Sequence, residues 1–150
     1  MIGHLRALIE AAKKEIAELE IKIKEAEEEL EICYQLKPIL DRIHNNALSG
    51  FNSLQRAGNS LNAGIKIGGA GQGEKILERS VNIQQLSSNA QMGSANVQQR
   101  IEKLIKDIEA WNARIAQLNS NIAAWKAEIA RLEAAARAAR AAEAAKKKTS

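Results

Sequence analysis

The chain reads as an all-α protein, a long antiparallel helical hairpin, on three observations. Eleven apolar residues keep an unbroken 4,3,4,3 spacing from Val97 through Ile101, Leu104, Ile108, Trp111, Ile115, Leu118, Ile122, Trp125 and Ile129 to Leu132. A second seam at the same spacing runs through Leu5, Ile9, Ala12, Ile16, Leu19, Ile23, Ala26, Leu30, Cys33 and, past the polar Lys37, Leu40. Between the two lies Gly68, Gly69, Ala70, Gly71, Gln72, Gly73, a stretch rich in the residue that accepts positive φ. Heptad spacing is the signature of helices that pack along a seam, and a glycine-rich interruption between two seams folds one back on the other.

The first arm is expected over about residues 2–66, with its seam isoleucines at heptad a positions and alternating large and small residues at d. Pro38 removes a hydrogen-bond donor within this arm, so a kink or a division into two helices is expected there. The turn is expected over 67–73 and carries Gly68, Gly69, Gly71 and Gly73. The second arm is expected over about 74–145, with Ile at each a position from Ile101 to Ile129 and Leu, Trp or Val at each d.

How the arms meet follows from spacing. Ala12 and Ala26 lie fourteen residues apart at d positions, and so do Trp111 and Trp125. If facing residue numbers add up to about 137, Trp125 covers Ala12, Trp111 covers Ala26 and Leu19 meets Leu118, bulky groups over gaps. The expected hairpin core is therefore Ala12, Leu19, Ala26, Trp111, Leu118 and Trp125. Antiparallel pairs also mix a with d positions, which shifts such a register by half a layer.

Residues 45–96 dilute the seam with Gly50, Gly58, Gly64 and Gly93 and with Asn, Ser and Gln; Ser80, Ser87 and Ser94 fall in core phase. Glycine costs about 1 kcal/mol in a helix interior, so this half is expected to be the weaker one. In the 137 register Phe51 faces Leu86 and Leu54 faces Ile83. Beyond Leu132 the stretch Glu133–Lys148 is expected to be an exposed, alanine-rich overhang.

Composition bounds function by exclusion. Charged residues make up 27% of the chain and aromatic residues 3%, which suits long helices rather than a broad core. Residues 1–33 carry five basic and nine acidic groups, whereas residues 97–150 carry eleven basic and six acidic. Segments of opposite sign are suited to lying side by side. Lys146, Lys147 and Lys148 have no interleaved aromatic platform, which speaks against a nucleic-acid partner. No apolar run approaches the roughly 20 residues of a membrane span, and the first ten residues lack the pattern of a cleavable signal.

No catalytic, cofactor or metal site is expected. Cys33 is the only cysteine and reads as a small apolar d-position filler. Gly68 and Gly73 have the spacing of a phosphate loop, but Glu74-Lys75 follows instead of Lys and then Ser or Thr, and no strand precedes. His4 and His44 have no ligand cluster, and Asp41 with His44 reads as a surface pair.

One feature points outward. Ile32, Leu36, Ile39 and Ile43 repeat at 4,3,4 on a face displaced from the main seam, and a two-stranded hairpin cannot cover both faces. With Phe51 and Leu54 they form the expected partner-binding surface. A shift of the seam to a new face at Pro38 is the alternative account of the same stripe.

Taken with Phe51 and Leu54 near Gly50, the segment Leu61-Asn-Ala-Gly64-Ile-Lys-Ile67-Gly-Gly69 and the isoleucine heptads that follow, the chain resembles a known group. It is similar to the small α-helical proteins encoded beside LXG toxins in bacterial type VII secretion, relatives of the WXG-type helical hairpins. The resemblance implies a non-enzymatic adaptor or targeting chaperone in the cytoplasm, without cofactors. Its partner would be the helical N-terminal domain of a secreted effector, with a second small helical protein alongside in some complexes. The chain departs from the pattern in having no Trp-x-Gly at the turn and no aromatic-x-x-x-acid motif, since Trp125, Trp111, Phe51 and Tyr34 are followed four positions later by Ile129, Ile115, Gln55 and Pro38. Such a protein would escort an effector without carrying the export signal. A reading from a different class is a self-associating coiled-coil spacer, a homodimer or four-helix bundle built on the same stripe.

Overall fold

A computed structural model describes residues 1–64 and 72–149, and all of its secondary structure is helical. α1 spans Ile2–Gly64, 63 residues, and α2 spans Gln72–Thr149, 78 residues. The two pack antiparallel as a helical hairpin. Gly68, Gly69 and Gly71, expected in the turn, lie outside the described residues. Gly73 does not belong to the turn; it is buried within the first helical turn of α2.

α1 is not divided at Pro38, which sits inside a continuous helix. Proline strips the i−4 carbonyl, that of Tyr34, of its helical donor. Tyr34 and Pro38 are both exposed, so water can serve that acceptor, and a Lys37–Asp41 ion pair of 3.1 Å spans the same turn.

The chain forms two compact units, each built from one segment of either helix. The first comprises residues 1–27 and 106–150 and the second residues 28–105. In the first unit Ile9, Ala12, Leu19, Leu118 and Ile122 form a buried cluster, with Ile16, Trp111, Ile115, Trp125 and Ile129 packed against it. Ala26 is buried as well, at 5% exposure, while both tryptophans keep a partly exposed edge. Arg6 pairs with Glu133 at 3.0 Å and Glu15 with Arg114 at 3.0 Å. The overhang therefore starts four residues later than expected: Glu133 is half-buried against Arg6 and Ala136 is partly buried, whereas residues 137–149 are all exposed.

The register differs from the expected one. The two ion pairs of the first unit join residues whose numbers add up to 139 and 129 and lie on opposite flanks, so the level between them is about 134. This sets d positions of α1 opposite a positions of α2, the mixed layering of antiparallel pairs. Ala12 is then level with Ile122 and Ala26 with Ile108, whereas Trp125 and Trp111 are level with Ile9 and Ile23. Each of these layers combines an isoleucine with an alanine or a tryptophan, which fills the seam more evenly than tryptophan over alanine.

Candidate protein-interaction surface

The second unit differs in chemistry from the first. From Ser80 to Gln99 the chain carries no Asp, Glu, Lys or Arg, and from Ile43 to Gly64 only Arg56 is charged apart from the titratable His44. The reason is a heptad repeat that hydrophobic periodicity alone does not show: Ser80-Val-Asn-Ile-Gln-Gln-Leu86, Ser87-Ser-Asn-Ala-Gln-Met-Gly93 and Ser94-Ala-Asn-Val-Gln-Gln-Arg100. Serine occupies each a position, asparagine each c and glutamine each e.

Those serines are the seam. Ser80, Ser87 and Ser94 are 0%, 3% and 6% exposed, with Ala47, Ala90 and Cys33 also buried in this unit. A buried hydroxyl must find an acceptor. Ser80 donates to the Leu77 carbonyl at 2.6 Å, Ser87 to the His44 carbonyl at 3.2 Å, and Ser94 to the Asp41 carboxylate. His44 Nδ1 lies 2.9 Å from the Ser87 carbonyl and 2.8 Å from its Oγ. The expected Asp41–His44 surface pair is therefore replaced by two bonds across the helix pair. Asp41 also accepts from Lys37, and the Ser94 hydroxyl and Lys37 ammonium together hold its carboxyl below the usual aspartate range.

Small seam residues bring the helices close. A Cβ on Gly58 would stand 2.7 Å from Leu77 Cγ and 3.1 Å from the Gly73 carbonyl oxygen. Facing residues in this unit, Asp41 with Ser94, His44 with Ser87, Gly50 with Ile83, Gly58 with Leu77 and Leu40 with Gly93, add up to between 131 and 135. Ile83 thus lies against Gly50, where a Cβ would be 3.8 Å from its Cγ2, and Leu86, expected opposite Phe51, is 52% exposed.

The displaced stripe stays uncovered. Ile32, Leu36, Ile39 and Ile43 are 61%, 40%, 44% and 37% exposed. Phe51 and Leu54 are half-buried at seam positions and do not extend it. The stripe occupies heptad positions c and g of α1. On this flank g residues face g residues, as Glu29 with Arg100 at 2.7 Å demonstrates. That spacing sets Leu36 level with Gly93, which has no side chain to cover it, and Ile43 level with the exposed Leu86. The result is an apolar, charge-free flank that ends at the Glu29–Arg100 pair.

Little in this surface suggests chemistry. A shallow depression of about 280 Å³ on α2 is lined by Val81, Gln84, Gln85, Ser88 and Asn89. No group of three metal-ligating side chains occurs among the described residues, and none of the described helices is long and apolar enough to cross a membrane. Cys33 is buried and unpaired. No family model, curated protein or solved structure matches the chain.

Proposed function

We propose that the protein is a non-enzymatic adaptor that binds the helical N-terminal domain of a secreted effector of the LXG type and promotes its export by the type VII route. The observation that supports this reading most is the exposed Ile32, Leu36, Ile39 and Ile43 stripe, beside which α2 runs from Ser80 to Gln99 without an Asp, Glu, Lys or Arg. Depletion of charge is a mark of surfaces that are covered by a partner, because a desolvated charge without a counter-ion is costly. An amphipathic helix laid along the stripe would bury its apolar face there, with Asn82, Asn89 and Asn96 offering hydrogen bonds at heptad intervals. The adaptor acts in the cytoplasm and is inserted into no membrane.

The test is co-purification with the tagged N-terminal domain of an effector encoded beside it. Leu36→Asp with Ile43→Asp should abolish the complex while the circular dichroism of the free protein stays helical, since both side chains are exposed. A double variant that still co-purifies removes the stripe from the interface, and absence of any complex with the unmodified protein removes the reading.

A further inference from the structure

The stripe has a symmetry that a hetero-partner does not require. Its 4,3,4 spacing is palindromic: laid antiparallel on a second copy so that facing residues add up to 75, Ile32 meets Ile43 and Leu36 meets Ile39, each twice. We propose that a second copy of this chain docks antiparallel on this stripe, forming a two-fold dimer closed by reciprocal Glu28–Arg42 ion pairs.

The charges select that direction. Parallel pairing would set Glu25, Glu27, Glu28, Glu29 and Glu31 against the same five carboxylates. Antiparallel pairing lays them along the other copy's residues 44–50, which contain no Asp, Glu, Lys or Arg. Like charges directly opposed are destabilising, so only the antiparallel arrangement is open.

The ion pairs follow from a rule the molecule itself displays. Core layers within the hairpin lie at a sum of about 134, and the flanking pairs Glu29–Arg100 and Glu15–Arg114 lie at 129, five lower. Five below 75 is 70, which pairs Glu28 of one copy with Arg42 of the other and sets Gln35 against its own counterpart at the axis. Glu28 and Arg42 are both exposed, and among the described residues neither takes part in an ion pair. Two opposite charges thus stand uncommitted at the two places where this geometry needs them.

The dimer covers the surface assigned above to the effector, but it does not depend on that assignment. Where both hold, self-pairing shields the stripe until an effector helix displaces the second copy. A four-residue stripe places the interface at the small end of specific contacts, below about 1,200 Å² in total, so association is concentration-dependent.

Analytical ultracentrifugation of the full chain from about 10 μM to about 1 mM tests this. The mass is expected to rise from 16.4 kDa toward twice that value and no further. Glu28→Arg and Arg42→Glu should each weaken the dimer about tenfold, since two attractions become two repulsions, and combining them should restore it to within about threefold. A monomer at the highest concentration, assembly beyond a dimer, indifference to the single reversals, or failure of the combined variant to recover overturns the proposal. Retained helicity of each variant shows that the fold is intact. None of these readouts involves an effector, so failure of the adaptor reading leaves them unchanged.

Discussion

At the scale of single residues, glycines separate two kinds of contact. Gly58 lies where a Cβ would meet Leu77 Cγ at 2.7 Å and the Gly73 carbonyl at 3.1 Å, whereas a Cβ on Gly93 would meet Leu40 Cδ1 at an ordinary 3.5 Å. Gly58→Ala should therefore lower the melting temperature, because overpacking costs about 1–3 kcal/mol against a helix-propensity gain of about 1 kcal/mol. Gly93→Ala should raise it, gaining about 0.5–1 kcal/mol with no strain. Thermal melts of the two variants side by side check both signs. From sequence alone both glycines read as dilution of the seam. Their difference resides in what faces them across the pair, and that depends on a register that heptad spacing leaves uncertain by half a layer.

At the scale of elements, the helices were legible because period 3.5 persists over many turns, and their ends were legible to within a few residues. Of the two outcomes expected at Pro38, division of the helix does not occur, because the cost of a lost donor depends on whether water reaches the orphaned carbonyl, a property of tertiary exposure. The serines in core phase were visible, yet the partners His44 of Ser87 and Asp41 of Ser94 emerge only when the helices are set side by side, whereas Ser80 bonds back to the Leu77 carbonyl of its own helix. Across the pair, side-chain bonds from Arg114 and Arg100 hold the Glu15 and Glu29 carboxyls below the usual range, as Ser94 and Lys37 do for Asp41. A carboxyl whose pKa is depressed in the folded state contributes stability above its unfolded pKa of about 4, and that contribution is lost as pH falls through the lower, folded value. The melting temperature should thus be flat from neutrality to about pH 5 and decline below about pH 4. Added salt at pH 7 should lower it slightly, because Glu15 and Glu29 are close to half-exposed.

At the scale of the whole molecule, the first unit is held by a conventional isoleucine seam, whereas the second combines the buried Ile101 and Leu104 with the buried Ser80, Ser87 and Ser94. Removing residues 137–150 should leave the melting temperature unchanged, since residues 137–149 are all exposed. The exposed stripe was legible as a second face, because no helical wheel can turn it toward the seam. Phe51 and Leu54 do not belong to it, since they continue the a and d positions of the seam and are half-buried there. The serine repeat carries one more consequence. Sliding α2 by seven residues against α1 would present His44 with Ser80 or Ser94 in place of Ser87, an identical hydroxyl on an identical ladder. The polar seam therefore works like a ruler with evenly spaced, unlabelled marks. What fixes the reading are two stops, the Glu29–Arg100 pair at one end and the Gly58–Leu77 contact at the other, where a slide would bring Phe51 into a gap sized for glycine.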